Sequence, residues 1–436
     1  MARWIAEWHP DDPAFWASTG KRVARRNLIF SIAAEHLGFT VWTLWSIVAT
    51  RLGAYEFTTD QLFWLVALPN LVGSALRVPY TFGPARFGGR NFTVVSALLL
   101  LIPAVLLGVA VGNPATPYWM FLVIAALAGF GGGNFASSMA NITYFYPRGK
   151  QGVALGLNAA GGNIGVSSVQ LVMPLVIGSL GLAAAGWFWI PFVVVAACCA
   201  WCFMDNLTSA KASPREQLAV AGKAQTWIMS FLYVGTFGSF IGYSTAFPLL
   251  SQSLFPDAPY AAVAFAGPLA GSLIRPVGGW LADRLGGAPV TLWNFAAMGG
   301  GVLLVWPAST SGSFWLFFLA FQALFLTSGI GNGSTYRMIP AIFQAKAVAE
   351  RGAGEEALLH GKRQAAAAIG IISAVGAVGG FLINRAFGMA FAAAGTPAPA
   401  FAAFGVFYAA CLALTWWCYT RRVGVNVVAS LAYARV

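Results

Sequence analysis

Long apolar runs recur along almost the whole chain and limit what it can fold into. A helix needs about 20 mostly apolar residues to cross a bilayer. Twelve runs in the 436 residues reach that length, separated by short polar or Gly/Pro stretches. We place the predicted spans at 27–51, 61–82, 92–111, 118–146, 152–180, 183–204, 224–251, 260–282, 289–308, 313–343, 364–390 and 398–420. The pattern predicts an all-α membrane protein.

The composition agrees with a bilayer as the solvent. Hydrophobic residues make up 58% of the chain and charged residues 9%, against about 25% charged in an ordinary soluble domain. The first 26 residues contain eight charged side chains and lack an apolar core followed by a small-residue cleavage site. We therefore expect no cleavable signal peptide.

The formal net charge of +12 is distributed on one side of the predicted membrane. Basic residues concentrate before the first span, in every second connection and in the tail, as the positive-inside rule describes. This distribution predicts that both termini are cytoplasmic in a bacterial inner membrane. It also explains the positive net charge without a nucleic-acid partner. We expect five segments: a cytoplasmic N-terminal segment 1–26, a six-helix half 27–204, a cytoplasmic linker 205–223, a second six-helix half 224–420 and a cytoplasmic tail 421–436.

The two predicted halves repeat each other at one fixed offset. Gly73-Ser74-x-x-Arg77 in the second span corresponds to Gly271-Ser272-x-x-Arg275 in the eighth, 198 positions later. Gly88-Gly89 and Gly286-Gly287 have the same offset, as do Gly133-Asn134 and Gly331-Asn332. Repeated halves are typical of secondary transporters, which place their substrate site at the repeat interface.

Arg77 and Arg275 occupy equivalent positions in the middle of predicted spans, where an arginine costs about 2.5 to 3.5 kcal/mol on insertion scales. Each lies around ten residues from the next basic loop, about 15 Å along a helix, so snorkelling is a poor explanation. Glu35 is the only acidic residue in these spans and is insufficient to neutralise both. The pair therefore predicts an anion site, since a planar guanidinium matches a planar oxyanion in two-point geometry.

Other polar and small residues in the spans are candidates for gating or binding. Glycines recur in the fifth span, Gly161 and Gly162 among them, and small residues let helices approach and slide. Asn158 and Asn163 lie in the same span and offer amides to an anion or to exposed backbone. Asn332 and Arg337 lie in the tenth span, where Arg337 serves either as an ion-pair or gate residue or as a second anion contact.

Two long motifs resemble signatures of the nitrate/nitrite porter family of the major facilitator superfamily. The first runs from Gly133-Asn134-Phe135-Ala136-Ser137-Ser138-Met139 to Gly161-Gly162-Asn163-Ile164-Gly165-Val166. The second is Gly329-Ile330-Gly331-Asn332-Gly333-Ser334-Thr335-Tyr336-Arg337-Met338-Ile339-Pro340. The resemblance covers all twelve predicted spans. It implies the major facilitator fold, with twelve transmembrane helices in two pseudo-symmetric six-helix halves, and secondary active transport of nitrate and nitrite.

The resemblance also implies roles for individual residues. Arg77 and Arg275 would clamp the anion, Asn163 would contribute an amide and Tyr233 a hydroxyl. Phe135 and Phe237 would form aromatic walls, with Phe39 as a further candidate and Asn158 as an assisting amide; most of the 34 phenylalanines face lipid or packing partners.

Glu35 and His36 form an ionisable pair inside the first predicted span, which is a proton-path hypothesis by default. The family resembled contains both proton-coupled nitrate symporters and nitrate/nitrite antiporters. A symporter needs a titrating group, whereas an antiporter does not. We favour nitrate/proton symport. The alternative is nitrate/nitrite antiport, in which Glu35 is a neutral acid with a structural role.

Other classes of membrane protein fit the sequence less well. An enzyme would need a catalytic or cofactor constellation, yet two of the three histidines lie outside the spans and no metal-ligand spacing occurs. We predict no metal and no cofactor. An anion channel would not need repeated halves, and a transporter-like sensor would need an appended domain to signal.

Overall fold

The structure, a computed structural model, describes residues 4–210, 214–352, 354–421 and 431. Residues 1–3 of the predicted N-terminal segment, 211–213 of the predicted linker and most of the predicted tail lie outside the described residues. Within the described part, eleven helices are long and apolar enough to cross a membrane. The continuous helical stretch 224–254 supplies the remaining predicted span; its many Ser, Thr and Gly residues lower its hydropathy.

The twelve long helices follow the predicted order, and we number them along the chain. They are α1 Pro13–Arg51, α2 Thr59–Phe87, α3 Gly89–Ala110, α4 Tyr118–Phe145, α5 Gln151–Leu180, α6 Ala184–Phe203, α7 224–254, α8 Tyr260–Leu285, α9 Gly287–Ala308, α10 Phe314–Arg351, α11 Glu355–Ala394 and α12 Ala398–Thr420. A short helix, Pro214–Ala221, precedes α7. The twelve-helix prediction is confirmed.

The described chain divides into two compact units. The first comprises Met1–Ser213 with Pro259–Leu269, and the second Pro214–Ala258 with Ala270–Val436. In the first unit α1 packs against α4 and α5, and α2 packs against α4. In the second unit α7 packs against α10 and α11, which is the equivalent arrangement six helices later. The limits of the five predicted segments stay a prediction.

Local signals fix several helix ends. A capping box of Thr58 and Gln61 begins α2, which satisfies two backbone donors left open at a helix N-terminus. Gly88 ends α2 with a φ of 88°, and Gly286 ends α8 with a φ of 90°. Both angles lie in the region that glycine tolerates at no steric cost. These two glycines differ by the repeat offset of 198, so the halves share a backbone turn as well as a sequence motif.

Two helices extend well beyond their predicted spans. The tenth and eleventh spans were predicted to end at 343 and begin at 364, but α10 continues to Arg351 and α11 begins at Glu355. The intervening stretch is rich in Ala, Glu, Lys and Arg, which are strong helix formers. Hydropathy marks where a chain leaves apolar solvent, whereas helical hydrogen bonding continues in water, and the prediction was too short for that reason.

The N-terminal residues are bound to the end of the first unit. A two-residue strand β1, Trp4–Ile5, pairs in parallel with β2, Asn206–Leu207. The side chain of Asn206 accepts hydrogen bonds from the backbone N–H groups of Arg90, at 2.9 Å, and Asn91, at 3.3 Å. The residues before α1 and after α6 therefore pair with each other, and Asn206 bonds them to the start of α3. Neither strand was predicted, because two-residue strands have no periodicity to detect.

Candidate functional site

Arg77 lies on α2 and is fully buried in the first unit. Its Nε donates a hydrogen bond of 3.2 Å to the carbonyl oxygen of Gly132 on α4. The guanidinium carbon is 4.6 Å from the centre of the Phe135 ring and 5.5 Å from that of the Trp42 ring. A guanidinium is weakly hydrated and stacks on aromatic faces. A backbone carbonyl and aromatic rings of the same unit therefore contribute to the position of this cation.

Trp42 is the residue near Arg77 that the sequence reasoning missed. Its indole N–H donates to the carbonyl oxygen of Pro69 on α2 at 2.9 Å, and its ring lies against Gly73 and Gly132, where an added methyl group would clash. Its ring centre is 5.2 Å from that of the predicted candidate Phe39. Trp42 comes three residues after Phe39 on the same helix, so helical spacing from that candidate is the signal that could have identified it.

Arg275 occupies the equivalent position on α8 and is only partly buried. Its guanidinium carbon is 5.6 Å from the centre of the Tyr336 ring. Among the described residues, its Nη1 has no hydrogen-bond partner. The predicted candidates Tyr233 and Phe237 belong to the same cluster. The Tyr336 ring centre is 6.3 Å from that of Tyr233, which stacks on Phe237 at 5.3 Å.

Each unit thus gathers aromatic side chains around its own arginine. Phe135 and Phe39 lie 6.2 Å apart in the first unit, as ring centres, and Tyr336 joins the second cluster. Tyr336 stands in the quoted family motif, directly before Arg337, but was not singled out as a site residue.

Asn158 and Asn163 on α5 are both fully buried but have different surroundings. The Asn158 amide nitrogen donates to the Glu35 carboxylate at 2.6 Å and to the Ser138 hydroxyl at 2.6 Å. The Ser138 hydroxyl is in turn 2.8 Å from that of Ser31. Neither amide atom of Asn163 has a hydrogen-bond partner in the described part of the chain. A buried amide of this kind is expected to have a partner when the site is in use.

Glu35 is fully buried on α1, while His36 is partly exposed. The Nδ1 atom of His36 is 3.1 Å from the carbonyl oxygen of Gly161. The structure therefore connects the predicted coupling residue Glu35 directly to the predicted substrate residue Asn158. This connection was not foreseen from the sequence, because contacts between helices leave no local pattern.

The glycines of α5 allow α1 to approach closely. An added methyl group on Gly161 would clash with Ile32, and one on Gly162 would clash with the Glu35 carboxylate. On Gly165 it would clash with the backbone carbonyl of His36. Small residues at helix contacts permit this backbone proximity. Gly161 and Gly162 thus form part of the Glu35 environment rather than an open hinge.

The repeat places Glu35 and Tyr233 at equivalent positions, 198 residues apart. Gly162 lies against Glu35, and Gly376 lies against the Tyr233 ring. Gly165 meets the backbone of His36, and Gly379 meets that of Val234. Both glycine pairs differ by 214 positions, which is 16 more than the offset of 198. The 16 additional residues belong to the extended ends of α10 and α11. The acid of the first unit therefore takes the place of a predicted substrate contact of the second.

Arg337 forms an ion pair with Asp283, and both side chains are about half exposed. This contact is of the kind that the ion-pair prediction describes, and the role of Arg337 in transport stays a prediction. Asn332 is fully buried on α10, and its side-chain oxygen has no hydrogen-bond partner among the described residues.

Known proteins resemble this chain along nearly its whole length. A sequence profile of the Major Facilitator Superfamily matches residues 28–354. The nitrate/nitrite transporters NarU of Salmonella typhimurium and Escherichia coli are each 46% identical over 445 residues, covering 96% of both chains. A Thermus thermophilus protein named "Probable nitrate/nitrite antiporter NarK2" is 38% identical over 450 residues, covering 96% of this chain and 97% of its own. The crystal structure of a bacterial homolog of the human lysosomal transporter Spinster has a TM-score of 0.63 at 15% identity, covering 91% of this chain and 97% of its own, which concerns the fold alone.

Proposed function

Because the chain belongs to the nitrate/nitrite porter family of the major facilitator superfamily, a family of transporters rather than enzymes, we propose that it carries nitrate and nitrite across the bacterial inner membrane. The mechanism is alternating access by two repeated units. The observation that carries the proposal is the pair of equivalent arginines, each with an aromatic ring within 6 Å of its guanidinium. Both termini face the cytoplasm in this proposal, as the positive-inside rule requires.

The chemistry of the arginines supports a small planar monovalent anion. A guanidinium presents donors in a flat fork that matches two oxygens of nitrate or nitrite, and it stays charged throughout the cycle. We assign the anion contacts to Arg77 and Arg275, with Asn163 and Tyr233 as further donors. The aromatic rings of Phe135 and Phe237 stack near these groups and exclude water from them.

The coupling we favour is symport of nitrate with a proton through Glu35. This carboxyl group is fully buried and bonded to Asn158, on the helix that also carries Asn163. An anion bound at the arginines would cancel part of their positive field, which favours uptake of a proton by Glu35 through linkage. Nitrate and proton would then move together without direct contact.

Nitrate/nitrite antiport is the second candidate. The name of the Thermus thermophilus relative includes the word antiporter. Exchange needs no titrating group, since one anion replaces another at the same arginines. Under antiport, Glu35 is a neutral acid that joins α1 to α5 through Asn158.

A flux experiment in proteoliposomes tests the function and separates the two coupling modes. We expect the protein to take up nitrate, to exchange it for nitrite, and to be inhibited by nitrite but not by an equal concentration of sulfate, a larger tetrahedral dianion. Strong sulfate inhibition would instead indicate a wide site that recognises charge alone. Absence of nitrate flux under both a pH gradient and a nitrite gradient would refute the proposed function.

The Glu35→Gln variant distinguishes symport from antiport. We expect it to lose nitrate uptake driven by an acidic exterior and to keep nitrate/nitrite exchange, which also shows that it is folded. Glu56→Gln is the matched control, because it makes the same chemical change at an exposed carboxyl group between α1 and α2, and it should keep both activities. Full pH-driven accumulation by Glu35→Gln would make antiport the better account.

A further inference from the structure

A basic groove of about 410 Å³ lies on the first unit, apart from the residues assigned to transport. Its lining consists of four cations and three apolar side chains: Lys21, Arg22, Arg25 and Arg26 with Ala17, Ile29 and Phe30. All except Ala17 belong to the regular part of α1. Neither the transport mechanism nor the anion site uses any of them.

The groove residues form two adjacent rows along one face of the helix. One row is Lys21, Arg25 and Ile29, and the other is Arg22, Arg26 and Phe30. Residues four apart lie above one another on a helix, so each row changes from charge to hydrocarbon in the same direction. Each row covers about 12 Å along the axis, which is enough to reach from lipid headgroups into the upper acyl chains.

The end of α6 builds the side wall of the groove. Phe203 stacks on Phe30 with ring centres 4.9 Å apart, and Ile29 beside them is half exposed. Asp205 binds Arg26 at 2.6 Å and also accepts a hydrogen bond from the Asn27 amide. In the described part of the chain, Arg26 therefore forms an ion pair, whereas the other groove cations, Lys21, Arg22 and Arg25, form none.

We propose that this groove binds an anionic phospholipid of the membrane. The lipid phosphate contacts Lys21, Arg22 and Arg25, and one acyl chain lies along Ile29, Phe30 and Phe203. Three cations without carboxylate partners above an exposed apolar strip match the two chemically different parts of such a lipid. Basic pockets of transmembrane proteins recognise anionic headgroups in this way.

Two simpler accounts make different predictions. If the cations serve only to orient the chain in the membrane, their positions should not matter for lipid binding. If the groove binds free phosphate compounds, its apolar strip should not matter. Phosphatidylglycerol is therefore the probe, phosphatidylcholine the uncharged comparison, and glycerol phosphate the headgroup without acyl chains.

Native mass spectrometry of the full-length protein in detergent measures which lipids it retains. The charge variant is K21Q/R22Q/R25Q. Its matched control is R351Q/K362Q/R363Q, which also removes one lysine and two arginines, all exposed, from the other unit. A third variant, I29A/F30A, keeps the native charge and hence the charge signal for orientation, so it tests the acyl-chain contact even if the charge variant is not produced.

We expect wild-type protein to prefer phosphatidylglycerol, and the charge variant to bind it about tenfold more weakly, since each cation near an anionic surface contributes appreciably. The control should stay within about twofold, I29A/F30A should weaken binding several-fold, and millimolar glycerol phosphate should not displace the lipid. Equal losses in the charge variant and its control, unchanged binding in I29A/F30A, or displacement by glycerol phosphate would each overturn the proposal.

Discussion

The two units carry an arginine at equivalent positions and surround it differently. Arg77 is fully buried, bonded to the Gly132 carbonyl and placed near two rings. Arg275 is partly exposed, and among the described residues its guanidinium lies near one ring, that of Tyr336, at 5.6 Å. A buried guanidinium must satisfy five donors, so partners supplied by the protein fix its position. The two halves share the arginine but differ in the residues that contact it. We therefore expect Arg77 to be the fixed anion contact and Arg275 the mobile one.

The same comparison applies to the first helix of each unit. Glu35 and Tyr233 are equivalent in the repeat, and each faces a glycine, Gly162 or Gly376. The first unit places a titratable carboxyl where the second places a phenol. In our proposal the two units have different functions: the first couples a proton to transport, and the second provides an additional contact to the anion.

Exchange of either arginine for lysine should have the largest effect. Arg77→Lys and Arg275→Lys keep the charge but lose the planar fork, so nitrate flux should fall by at least about 100-fold in each. Proteoliposome flux measures this, with Arg337→Lys as a matched control that should remain active because Arg337 pairs with Asp283. Near-normal nitrate flux in Arg77→Lys or in Arg275→Lys would remove that arginine from the proposed site.

Alanine in place of the two equivalent glycines should separate the roles of the units. Gly376→Ala displaces the Tyr233 ring and should reduce all nitrate flux about tenfold. Gly162→Ala displaces the Glu35 carboxylate and should reduce pH-driven uptake by a similar factor while exchange continues. Gly156→Ala on the same helix is the control, because a methyl group there meets nothing within 4 Å. If both variants lost pH-driven uptake and exchange to the same extent, the proposed difference in function between the units would be contradicted.

Trp42→Phe should have a moderate effect. The change keeps a ring beside Arg77 but loses the hydrogen bond to Pro69, which is worth about 1 kcal/mol. The repeat offers a precedent, since Phe240 is the equivalent residue and lies against Gly271 as Trp42 lies against Gly73. We expect nitrate flux to fall about fivefold. Trp45→Phe, a change of another buried tryptophan on α1, should be nearly neutral, and an equal loss there would show a general packing effect.

Arg337→Gln should have the smallest effect. The ion pair with Asp283 is about half exposed on both sides, and exposed pairs contribute about 0 to 1 kcal/mol. The thermal midpoint should move by no more than a few degrees, and nitrate flux should change less than about threefold. A loss comparable with that of Arg77→Lys would show that Arg337 contacts the anion after all.

The fold was predictable from the sequence because a bilayer imposes strong rules on length and hydropathy. The twelve spans and the repeat at an offset of 198 all followed from residue types and positions, and the fold they predicted is confirmed. The ends of α10 and α11 did not follow, since a helix that continues into water has no hydropathic limit.

From residue chemistry alone, without the family resemblance, the candidate site was predictable only where a residue is costly in a membrane. An ionisable side chain in a bilayer is costly and therefore indicates a function, which made three residues identifiable: Arg77, Arg275 and Glu35. Trp42 and Tyr336 were missed because aromatic residues are common in such spans. The bond between Glu35 and Asn158 was missed because 123 positions separate the two residues. The roles of these residues in transport stay predictions.

The central claim is that both equivalent arginines bind the anion, and equilibrium binding tests it without the rest of the transport cycle. Isothermal titration of nitrate into purified protein should show saturable binding in the wild type and in Arg337→Gln. It should show no measurable binding in Arg77→Lys or in Arg275→Lys. Wild-type affinity for nitrate in either of these two lysine variants would contradict the claim.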